Sequence, residues 1–85
     1  MKIDLFAIIE PKSGTQHYAI LEYLRAGNRL TPLEALRLFG TMKLASRISE
    51  LREMGHHFEQ QLIKTDTGKW VMQYWMSEQM AWVGR

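Results

Sequence analysis

Residues 30–55, Leu-Thr-Pro-Leu-Glu-Ala-Leu-Arg-Leu-Phe-Gly-Thr-Met-Lys-Leu-Ala-Ser-Arg-Ile-Ser-Glu-Leu-Arg-Glu-Met-Gly, constrain the fold more than any other part of the chain. Thr31 is placed to cap a helix, Pro32 takes the first helical position, where a missing N–H costs nothing, and Glu34 reaches back to close a capping box. This predicts a helix from Pro32 to about Phe39 that buries Leu33, Leu36 and one of Leu38 or Phe39. Gly40 permits a turn. Thr41 is the expected N-cap of the next helix, Met42 to Met54, which Gly55 stops. Two short helices joined through a glycine have the spacing of a helix-turn-helix, whose second helix fits a DNA major groove.

The flanking segments complete a small α+β unit. Ser13 and Gln16 have capping-box spacing ahead of a helix running from about Gly14 to Ala26. On it His17, Ile20, Leu21 and Leu24 share one face, and Gly27 is the expected residue just past its end. After Gly55, residues 57–64 alternate partially, Asp66-Thr67-Gly68-Lys69 signals a turn, and Trp70 to Met76 reads as the returning strand. A two-stranded ribbon needs a surface to pack on, and the three helices supply it. The fold class read from this pattern is α+β, a winged helix-turn-helix with three helices and a two- or three-stranded β-wing. Residues 3–9 read as a short strand or extended arm ending at Pro11, a candidate third strand. The chain then divides into an arm over 1–12, the domain over 13–76 and a tail over 77–85, where Ser77 to Trp82 makes one helical turn or two.

With 85 residues there is room for one small domain. The chain has no cysteine, which excludes disulfides and thiolate metal sites and favours a cytoplasmic location. The sequence has no apolar run near the ~18 residues of a membrane span, and Asp4 makes the start a poor signal peptide. The net charge of +2 is weak support for a nucleic-acid partner, because acids and bases are interleaved and no basic block stands out.

The predicted third helix sorts its residues by face. Leu44, Ile48 and Leu51 form an apolar stripe with Ala45 beside it, while Lys43, Ser46, Arg47 and Glu50 fall on or near the opposite side. Arg47 is the first candidate for a base or phosphate contact, since a guanidinium offers two parallel donors to guanine. The competing role is an ion pair with Glu50 three residues on. Lys43 and Thr41 lie where a helix N-terminus meets phosphate. Ser46 bonds a base or a phosphate, and Glu50 accepts from cytosine or repels the backbone. Lys64, Thr65, Thr67 and Lys69 surround the hairpin tip, which in a winged helix follows the phosphates or enters the minor groove; the plain alternative is a polar turn. Arg25, Arg29 and Arg37 read as surface charges, with Arg29 close enough to the second helix to touch phosphate.

The pair His56-His57 with Glu59 invites a metal reading, but adjacent residues of a strand point to opposite faces. No metal, cofactor or small-molecule substrate is expected. Without a phosphate loop, a nucleophile-base-acid set or paired carboxylates, neither is catalysis. His17 is expected to be buried and hydrogen-bonded. Trp70, Trp75, Met76, Met80 and Trp82 exceed what one hairpin can hide. Either the tail folds over one side of the strand or a partner does, and a homodimer interface is the form such a partner would take.

Residues 30–36 together with Leu44-Ala45-Ser46-Arg47-Ile48-Ser49-Glu50-Leu51-Arg52 and Gly55 resemble small helix-turn-helix domains of phage and prophage proteins. Those domains share a leucine-threonine start, a leucine-glutamate-alanine-leucine helix and an alanine-x-arginine-isoleucine-x-glutamate-leucine-arginine recognition helix, followed by a glycine and an apolar β-ribbon with a lysine near its tip. The resemblance spans roughly residues 14–76, and the aromatic, Met-rich final strand departs from it. It implies a winged-helix fold and sequence-specific double-stranded DNA binding by a transcriptional regulator or accessory factor. The rival expectation is a protein–protein adaptor built on the same scaffold.

Overall fold

In a computed structural model of the chain, residues 8–76 are described. The element order is α1 (Gln16–Arg25), α2 (Pro32–Phe39), α3 (Leu44–Glu53), β1 (Phe58–Lys64) and β2 (Trp70–Met76). This is the expected winged helix-turn-helix arrangement of three helices and a β-wing.

Helix α2 forms as its sequence dictates. The Thr31 hydroxyl accepts from the Glu34 N–H, the Glu34 carboxylate accepts from the Thr31 N–H, and Gly40 closes the helix at φ +71°. Its buried face differs from the expectation. Ala35 is buried and Phe39 is half-buried against Tyr23, their rings edge-on at 5.5 Å. Leu33 is 57% exposed, Leu36 42% and Leu38 54%. The small side chain lets α2 approach the core closely and turns the leucines outward on its flanks.

Helix α1 starts later than the Ser13 reading requires. The turn before it closes through a bond from the Thr15 N–H to the Lys12 carbonyl, so the chain first becomes helical at Gln16. Thr15 is therefore the cap, its hydroxyl accepting from the Tyr18 N–H. Helix α3 likewise starts at Leu44 rather than Met42. Lys43 stands at its N-cap and makes no side-chain capping bond.

The wing is an antiparallel pair in the register Phe58 opposite Met76 through Lys64 opposite Trp70. Its turn is closed by the Gly68 N–H bonding the Thr65 carbonyl, with Gly68 at φ +86°, a conformation glycine adopts without a Cβ penalty. Phe58 and Tyr74 on the inner face join the core of Ile20, Leu21, Leu24, Leu30, Ala35, Leu44, Ile48 and Leu51. Leu30 extends the sheet by a backbone bridge, exchanging both bonds with Tyr74 at 2.9 Å. The described part of the arm runs instead beside the α3–β1 turn: Ile9 N–H donates to the Met54 carbonyl, and His56 Nε2 donates to the Ile9 carbonyl. The expectation for residues 3–7 and for the tail lies outside the described residues.

Candidate nucleic-acid interface

At 3.6 residues per turn, burying Leu44, Ile48 and Leu51 turns Ser46, Ser49 and Glu53 toward solvent. Ala45 and Arg52 lie on one flank of that face, Arg47 and Glu50 on the other. Arg52 Nη2 donates to the Phe58 carbonyl and to Gln60, tying α3 to the wing. The outward face is therefore made of short hydroxyl side chains, and the long basic ones lie at its margins.

The second flank is closed by a clasp to α1. Arg47 Nε donates to Gln16 Oε1 at 2.9 Å and its Nη1 to Glu50 Oε1 at 3.0 Å, while His17 Nε2 donates to the same carboxylate oxygen at 2.5 Å. Gln16 also donates to the Phe39 carbonyl at the end of α2, so one side chain links all three helices. The hydrogen bond from His17, followed by that from Arg47, holds the Glu50 carboxyl below the usual carboxylate range. Arg47 thus makes the ion pair that competed with its DNA role, and its side chain is 26% exposed. Two of its five guanidinium donors are spent inside the protein. His17 is hydrogen-bonded, as expected, but only half-buried.

The remaining candidates are distributed as follows. Lys43 is exposed and its ammonium has no partner among the described residues. Ser46 is exposed on the outward face. Thr41 is only 5% exposed, and its hydroxyl accepts from the Lys43 N–H, so it orders the entry to α3 rather than facing outward. At the wing tip the Thr65 and Thr67 hydroxyls bond each other, and Lys69 is exposed, its ammonium without a partner among the described residues. Lys64 lies 5.8 Å from the centre of the Trp70 ring.

The aromatic strand divides between its faces. Trp75 lies under the Arg29 guanidinium at 3.9 Å, and Arg29 also donates to Gln73. Met76 packs on the core, and Trp70 is 62% exposed. Met80 and Trp82 lie outside the described residues. His56 is buried on the Ile9 carbonyl while His57 faces solvent. Among the described residues no three histidine or acidic side chains come together in a way that could hold a metal ion.

Two participants escaped the sequence reading. Ser49 shares the outward face with Ser46, and its position was legible from the three-residue spacing. Gln16 was read as a capping residue, and nothing local in the sequence reveals its bonds to Arg47 and Phe39.

No curated protein and no solved structure matches the chain. Residues 15–79 match a family described as a winged helix-turn-helix domain, over the same span in which three helices and a ribbon are found. Such domains bind DNA by presenting one helix to a groove. With most of its length matched and each element in place, the chain belongs to the winged helix-turn-helix domain family.

Proposed function

We propose that the protein is a sequence-specific reader of double-stranded DNA, of the phage or prophage type, acting in the cytoplasm as a transcriptional regulator or accessory factor. The observation that carries this reading is the outward face of α3. Exposed Ser46 and Ser49 follow Lys43, which is unpaired among the described residues, and they leave the helix slim enough to approach base edges closely. Lys64 and Lys69 on the wing supply phosphate contacts. Arg47 joins them by exchanging Glu50 for a phosphate or a guanine edge, which makes its contact conditional on opening the clasp. Thr41 acts through the placement of Lys43, and Glu50 acts through Arg47.

The test is fluorescence anisotropy on a random duplex pool at low and moderate salt, followed by sequencing of the retained fraction. Salt-sensitive binding with an enriched motif supports the reading, and a palindromic motif would add a homodimer. Absence of binding even at low salt overturns it and favours the adaptor function, for which exposed Trp70 is the observation in hand.

A further inference from the structure

We propose that the outward face of α2 is a self-association surface that takes a second copy of this chain, packed antiparallel across a two-fold axis. Leu33 and Leu36 lie on neighbouring lines of that helix, 57% and 42% exposed. Together they are the largest apolar side chains on one flank of an element whose other side is buried through Ala35 and Phe39. On the aromatic strand, the other candidate for a dimer, Trp75 is covered by Arg29 and Met76 by the core, which leaves Trp70 as its one largely exposed aromatic among the described residues, without a charge-complementary flank beside it.

The charges beside the leucines say what fits there. Arg37 stands next to Leu33 on the helix surface and has no partner among the described residues. Glu34 lies just beyond it, with one carboxylate oxygen on the Thr31 N–H and the other free of hydrogen bonds among the described residues. A two-fold axis crossing the helix between Ala35 and Leu36 sets residue 34 of one copy opposite residue 37 of the other. Antiparallel helices bring the same flanks together, so Glu34 meets the second copy's Arg37 twice while Leu33 and Leu36 of both copies fill the seam. The face is complementary to itself in charge and in apolarity. Four side chains fall short of the ~800 Å² per partner that a standing dimer buries, so the contact is weak and calls for a method that captures it.

The chain has no cysteine, which makes single-site cross-linking clean. Leu36→Cys places a thiol beside the axis; Ser13→Cys, exposed and remote in sequence, reports random collision. Mild oxidation should give a disulfide dimer from Leu36→Cys at least tenfold faster than from Ser13→Cys. Adding Arg37→Glu to Leu36→Cys should slow it about fivefold or more by setting like charges opposite each other. Adding Glu34→Arg as well should restore the rate. Circular dichroism checks that each variant is folded, and sedimentation of the unmodified chain at high concentration should show a reversible dimer. Equal rates for the two thiols overturn the proposal, as does a charge exchange that fails to restore the rate in a folded variant. A face covered by another part of the same chain gives the same negative result. None of these readouts depends on DNA.

Discussion

Breaking the clasp should strengthen DNA binding, which is the opposite of what removing a polar contact on a recognition helix ordinarily does. Glu50 is an acid beside the outward face of α3, and it holds Arg47. In the resting protein Lys43, Lys64 and Lys69 are the cations assigned to phosphate. Three contacts give a slope of log K against log salt of about −2.7, or an affinity loss of about 40-fold between 50 and 200 mM salt. Glu50→Ala removes the carboxylate and frees Arg47 as a fourth contact. The slope then steepens to about −3.6 and the loss over the same range to about 150-fold, with tighter binding at the low-salt end. Anisotropy titrations of one labelled duplex at four or five salt concentrations read both slopes directly. Lys43→Ala moves the slope the other way, to about −1.8. If Glu50→Ala leaves the slope unchanged while Lys43→Ala flattens it, Arg47 stays on Gln16 and takes no part in binding. If the unmodified slope is near zero, the assignment of all three lysines to phosphate is wrong.

Three further outcomes follow from the packing. Ile48→Ala empties a fully buried site where α3 meets the core, and should cost about 2–5 kcal/mol, read as a lowered urea midpoint at unchanged slope. Thr31→Ala removes the hydroxyl from the Glu34 N–H and should cost about 1 kcal/mol in the same assay. Glu10 and Glu50 both have carboxyls held below the usual value, by Arg25 and by His17 with Arg47 respectively. The stability they add is present above the ordinary carboxylate pKa of 4.5 and is lost as pH falls through their lowered folded values. The melting temperature of Glu50→Gln should therefore converge on that of the unmodified chain as pH drops from 5 to 3, and a gap that widens instead would reverse the sign of this linkage.

The parts of the fold that were legible in sequence are those set by local chemistry. The capping box at Thr31, the Gly40 end of α2 and the Gly68 turn each depend on residues within one turn of one another, and all three form as read. Ser13 has the capping-box spacing, yet Thr15 is the cap. The closure of Thr15 onto Lys12 moves the helix start past Ser13, a backbone event that composition does not show. The face of α2 was misread for a different reason. Leucines on both flanks and an alanine between them satisfy helical periodicity in more than one rotation, and packing on the core buried the alanine, with Phe39 against Tyr23. At the interface, the Arg47–Glu50 pair was visible as a three-residue spacing on one helix. The parts played by Gln16 and His17 were not, because they come from a helix more than thirty residues away in sequence and are set by how α1 crosses α3.

The charge arithmetic along α3 separates affinity from specificity. Arg47 and Glu50 neutralise each other, and Arg52 is committed to the wing through Phe58 and Gln60. Glu53 opposes whatever remains, so Lys43 is the one unpaired cation of the segment 43–53 among the described residues. A helix so nearly neutral draws little attraction from phosphate at a distance, so the proposed reading assigns the long-range pull chiefly to Lys64 and Lys69 on the wing. What α3 does offer is short range. Under the proposed reading, Ser46 and Ser49 add so little bulk that the backbone would approach the base edges, where a hydroxyl gives or accepts one bond. Serine discriminates poorly by itself, so a sequence-specific reading would rest on two sources of selectivity: the shape of a groove tight enough to admit this helix, and a guanine able to draw Arg47 out of its clasp. Changes on the wing should then weaken binding to all sequences alike, while changes at Ser46, Ser49 or Gln16 should alter which sequences are preferred. The same division is imposed by the nucleic acid, whose phosphates position a protein while its base edges and groove shape identify the site.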